Sequence, residues 1–101
     1  MTGPIGLNTG GRQLWNAVNA EHELAPWQWE LLLEACRAKD RLDQLAPVAA
    51  AGDFAAMREE RLTSLGMARL LAALRLPDSN GRRPQRRSGS RGFYGARPVD
   101  P

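Results

Sequence analysis

The chain has 101 residues, 43% of them hydrophobic and 25% charged, with a formal net charge of +3, one cysteine and one histidine. That length holds one domain at most, and unstructured ends would leave only about 65 to 70 residues for a core, a size at which partners are expected to help. Cys36 has no second cysteine for an intrachain disulfide and His22 no companion ligand for zinc, so metal sites, redox chemistry and cofactors are not expected.

Residues 1–11, MTGPIGLNTGG, hold four glycines and a proline without periodicity and read as a disordered leader. They contain no apolar signal-peptide core, and no run reaches the roughly 18 to 20 apolar residues that span a bilayer. A soluble, intracellular protein without a membrane partner is the expectation. From Arg12, the spacing of Leu14, Trp15 and Val18 predicts a short amphipathic helix to about Ala20 or Glu21.

A second helix should open at Pro26, whose missing N–H costs nothing at a first helical position. Leu31, Ala35, Ala38, Leu42, Leu45 and Ala49 recur at spacings of four and three, with Leu32 and Cys36 widening the seam. Glu34, Lys39, Asp40, Arg41 and Asp43 read as its solvated face. Pro47 should kink or end this helix near Ala46, since an interior proline loses a hydrogen bond and clashes with the preceding turn. Trp27 and Trp29 flank Gln28 and point in different directions, so one is expected in the core and the other at the surface.

Gly52-Asp53 is a stop followed by a start: glycine suits a left-handed position after a helix, and aspartate accepts from the first N–H groups of the next. A third helix is predicted from Phe54 to about Leu76, and the short link makes the pair an antiparallel hairpin. The fold class is therefore all-α, a short N-terminal helix and a long antiparallel hairpin over residues 12–77, between disordered tails.

At 100° per residue the third helix carries two apolar arcs, one through Leu62 and Leu65 and one through Met67, Leu70, Leu71 and Leu74. One arc can pack on the second helix; the other needs a second subunit, or the first helix, to cover it. Leu65, Met67, Leu70, Leu71 and Leu74 are the candidate oligomer-interface residues. Gly66, between the arcs, suits a close helix crossing at a cost of about 1 kcal/mol relative to alanine.

Residues 78–101 hold Arg82, Arg83, Arg86, Arg87, Arg91 and Arg97 against two aspartates, a balance of +4, while residues 1–77 balance at −1. Rich in Pro, Gly and Ser and without an apolar face, this tail should be disordered when free and should target a polyanion or an acidic protein patch. The six arginines are the candidate DNA-binding residues, and Phe93 and Tyr94 in RGFYG can stack on bases or dock on a partner. No nucleophile, acid–base or phosphate-loop set is legible, so neither an enzyme nor a small-molecule substrate is expected. His22, between two glutamates, reads as an exposed polar residue, and Cys36 as a small core residue.

Four stretches in order, GRQLWNAV at 11–18, ELAPWQWELLLEACRAKDRLDQL at 23–45, MARLLAALRLP at 67–77 and RRSGSRGFYGARP at 86–98, resemble the compact family of tailed-phage terminase small subunits. The resemblance covers about two thirds of the chain. It implies a non-enzymatic, ring-forming homo-oligomer in the cytoplasm of a bacterial host, which binds double-stranded phage DNA and presents it to the large terminase subunit that carries the ATPase and nuclease. The link AGDFAAMREER is shorter than in many members and lacks a His-Pro entry. The residues by themselves leave two other readings: a helical adaptor whose tail folds onto an acidic protein, and an RNA-binding accessory protein, since Arg-Gly-aromatic tails suit single strands.

Overall fold

The computed structural model of the chain describes residues 4–77. They form three helices, α1 (Thr9–Glu21), α2 (Pro26–Ala50) and α3 (Phe54–Leu74), and no strand occurs among the described residues. α1 and α3 both pack on α2, with no direct backbone packing between them. The start of α2 meets the end of α3, and the end of α2 meets the start of α3, so the pair is an antiparallel hairpin. The basic tail, with its six candidate arginines and Phe93 and Tyr94, lies outside the described residues.

Local chemistry accounts for the hairpin. α2 is followed by Ala51 and then Gly52 at φ 103°. The Gly52 N–H donates to the Ala49 carbonyl at 3.0 Å and the Asp53 N–H to Val48 at 3.4 Å, the paired bonds of a Schellman closure. The Asp53 carboxylate then accepts from the Ala56 N–H at 2.9 Å and caps α3. Pro47 does not end α2, which continues to Ala50. The proline sits exposed in the last turn, where the missing N–H deprives only the Asp43 carbonyl of a partner.

At the other end Ala25 offers α2 no side-chain cap, and Gln28, buried three residues on, supplies what is missing. Gln28 Oε1 accepts from the Ala25 N–H at 2.8 Å, and its Nε2 donates to the Leu74 carbonyl at 2.9 Å. One amide therefore closes the first turn of α2 and ties down the last turn of α3. Between these ends, Arg41 on α2 donates to Glu59 on α3 at 2.7 Å. That bond holds the Glu59 carboxyl below its ordinary range and the Arg41 guanidinium above its own. Being solvent-exposed, the pair adds little stability.

The core is uneven along the hairpin. At the base, Leu7, Trp15, Leu32, Cys36 and Leu74 form one buried cluster, with Leu14, Val18, Leu24, Leu31, Leu33, Leu71 and Leu76 packed around it. At the tip only Leu45, Ala49 and Ala56 are buried together. Trp15 brings its indole N–H into the base without an acceptor. That omission costs about 1 to 3 kcal/mol, which the buried ring must offset.

The first eleven residues depart most from the expectation of a disordered leader. Within the described part, Leu7 is buried in the base cluster and α1 begins at Thr9, three residues before the predicted start. The cause is Asp40. Expected on a solvated face, it is buried, and its carboxylate accepts from the Asn8 N–H at 2.8 Å and the Gly11 N–H at 2.6 Å. Asn8 makes no side-chain cap of its own, so a carboxylate from α2 caps α1, where the positive end of the helix dipole favours it. Gly10 and Gly11 permit the approach. A Cβ on Gly11 would lie 2.6 Å from Asp40 Oδ2 and 2.8 Å from the Cys36 carbonyl oxygen, and one on Gly10 would run into the Asp43 carboxylate.

Burial pushes the Cys36 thiol up to about 11, and the neighbouring Asp40 carboxylate adds to the shift. An ordinary thiol ionises near 9.0. Below that value both folded and unfolded chains hold the proton; between about 9 and about 11 the unfolded chain releases it and the folded chain keeps it, so stability is lost as pH rises through this window. Urea unfolding at pH 8 and pH 10.5 should show a fall in midpoint that Cys36→Ala abolishes. The same fall in both proteins would refute the assignment.

Candidate interaction surface

α3 supplies the surface, because along most of its length it packs on α2 alone and meets side chains of α1 only at the base. Its inner arc is marked by buried Ala56 and Leu74, and Thr63, Met67 and Leu70 share that arc, half-buried. Leu71 packs against the base cluster. Leu74 is fully buried within the chain and so presents nothing to a second subunit, which corrects its assignment to an oligomer interface. The sequence yields two apolar arcs but not which of them turns inward. The Gln28 bond to the Leu74 carbonyl and the base cluster fix that choice.

The opposite arc remains uncovered. Leu65 is 50% exposed, Phe54 78%, and Leu62, at the margin between the arcs, 60%. α1 does not cover them, since it packs on α2. Helical spacing brings Arg58, Arg61 and Arg69 onto the same outward face, all exposed. Among the described residues no ion pair engages these three arginines, whereas Arg37, Lys39 and Arg41 are each paired. The face is thus apolar and cationic together. Gly66 allows no close crossing within the chain, for nothing lies within 4 Å of where its Cβ would be.

The start of α2 carries a second exposed face. Neither Trp27 nor Trp29 is in the core, contrary to the expectation that one would be: they are 53% and 43% exposed. Trp29 Nε1 donates to Asn19 Oδ1 at 3.1 Å, and Asn19 in turn donates to the Trp15 carbonyl at 2.9 Å, a bridge from α2 to α1. Trp27 makes no such bridge and, by spacing, shares the outward face of α2 with Glu30 and Glu34. His22 ends α1, half-buried, its backbone N–H donating to Val18 at 3.0 Å.

Among the described residues no three His, Cys, Asp or Glu side chains gather as metal ligands, and no helix is long and apolar enough to cross a membrane. Comparison of the chain with family models, with curated proteins and with solved structures finds no match in any of the three.

Proposed function

We propose that this protein is a small terminase subunit: a non-enzymatic factor that assembles into a ring in the cytoplasm of a bacterial host, binds phage DNA and delivers it to the large subunit. The observation that carries the reading is the uncovered outward face of α3, a helix with more apolar surface than its own chain hides. The sequence adds a tail of net charge +4 directly after the hairpin, and the ordered resemblance adds the DNA-packaging role. In a closed assembly many tails gather round one opening, and individually weak arginine–phosphate contacts gain avidity without new contacts.

Two measurements on the full-length chain test this reading. Light scattering at tens of micromolar should give a mass of several protomers. Titration with duplex DNA should give an affinity that falls with salt, with a log–log slope of about −5 if all six tail arginines engage, at about −0.9 per phosphate neutralised. Replacing Arg82, Arg83, Arg86, Arg87, Arg91 and Arg97 by Gln should abolish DNA binding and leave the mass unchanged. A strict monomer, or DNA binding indifferent to those six changes, would overturn the reading. Tighter binding to single-stranded RNA than to duplex DNA would favour the RNA-binding alternative.

A further inference from the structure

We infer that the outward face of α3 is one half of a head-to-tail contact between copies of this chain, and that it docks on the Trp27–Glu30–Glu34 face at the start of α2 in the next copy. The inference rests on the assembly proposed above and says which two surfaces make it.

The composition of the α3 face decides against pairing with itself. A twofold antiparallel contact that sets Leu62 against Leu65 is centred between residues 63 and 64, and the same register sets Arg58 against Arg69 on both sides. A parallel contact brings each arginine beside its own copy. Either arrangement desolvates like charges next to one another, which is unfavourable at an interface core. The occupant of this face therefore carries carboxylates and an apolar anchor.

The start of α2 has both. Trp27, 53% exposed, supplies a large flat apolar group of the kind that anchors interfaces. Glu30 and Glu34 flank it at helical spacing, and Glu23 stands exposed just before the helix. Glu30 has no ion pair among the described residues, and Glu34 has only an exposed one to Arg37, which is readily exchanged. Leu62 and Leu65 can then close over Trp27 while Arg58, Arg61 and Arg69 meet carboxylates. Because the two faces lie on different helices of one protomer, each copy can give one and receive the other. Such a heterologous contact propagates and closes into a ring if its rotation allows.

This arrangement predicts complementation, which a twofold contact does not. Two full-length double variants are needed: Arg61→Glu with Leu65→Ser, which spoils the α3 face, and Trp27→Ser with Glu30→Ala, which spoils the α2 face. All four positions are exposed, so helicity and Tm should match the parent; if either variant loses helicity, Arg61→Gln and Glu30→Gln replace the pairs. Each variant alone should be monomeric by light scattering at tens of micromolar. A 1:1 mixture should form a dimer and nothing larger, since each variant contributes its one intact face. Assembly by either variant alone, or a mixture that stays monomeric, overturns the inference. A parent chain that assembles while both variants do so leaves the assembly reading standing and removes only this contact. A monomeric parent removes both.

Discussion

Replacing Asp40 by alanine should lower the unfolding free energy by about 2 to 4 kcal/mol, read as a shift of the urea midpoint at neutral pH. The carboxylate accepts from two backbone N–H groups at the start of α1, Asn8 at 2.8 Å and Gly11 at 2.6 Å, from a buried position on α2. Hydrogen bonds to a charged group contribute about 1.5 to 3 kcal/mol, and truncation leaves the buried Gly11 N–H without a side-chain partner while the part-buried Asn8 N–H turns to water. Asp40→Asn retains an acceptor but not the charge that complements the helix dipole, so it should lose roughly half as much. In a domain whose total stability is only about 5 to 15 kcal/mol, the alanine variant gives up a large share. An unchanged midpoint would mean that the Asp40 clamp does not hold α1 in solution.

The second large effect is expected at Gly11. Alanine there places a methyl 2.8 Å from the Cys36 carbonyl oxygen, which is backbone and cannot swing aside, and 2.6 Å from the Asp40 oxygen. The helix must move away from α2, which strains the packing and loosens the Asp40 cap, at a cost of about 3 kcal/mol. Gly66→Ala provides the contrast. It also lies within a helix, but nothing lies within 4 Å of its Cβ position, so the substitution should gain about 1 kcal/mol from helix propensity alone. Thermal unfolding of the two variants side by side checks both signs. No loss at Gly11 would refute the close α1–α2 approach, and a loss at Gly66 would refute the open surroundings of that position on α3.

These two residues also show where the sequence was readable and where it was not. Gly52-Asp53 announces a helix stop and start through its own backbone and side-chain preferences, and the structure uses both. The seam of α2 is legible for the same reason: periodicity is a local signal, and Leu45, Ala49 and Ala35 are buried as their spacing predicts. By contrast Thr9-Gly10-Gly11 has no helical signal. It becomes helix because a carboxylate about 30 residues away accepts from the Gly11 N–H and from that of Asn8 just before the stretch. Asp40 looks solvated for the matching reason, as its partner is backbone and leaves no mark in the residue pattern. Gln28 is hidden in the same way between two conspicuous tryptophans. At the candidate interface, Leu65 on an uncovered arc follows from periodicity, while the burial of Leu74 depends on which arc faces α2. The exposed Arg58, Arg61 and Arg69 acquire meaning only when α1 is seen to pack elsewhere.

The contrast between a leucine-rich base and a tip held by Leu45, Ala49 and Ala56 has a dynamic consequence. Small side chains make few dispersion contacts, so local opening of the tip costs less than global unfolding. Backbone amides of residues 48–58 should exchange with deuterium through this partial opening, while those around Leu32, Cys36 and Leu74 wait for the whole domain to come apart. The hairpin then behaves as an anchored spring, stiff where three helices meet and compliant at its free end, so that the end can flex without disturbing the anchorage.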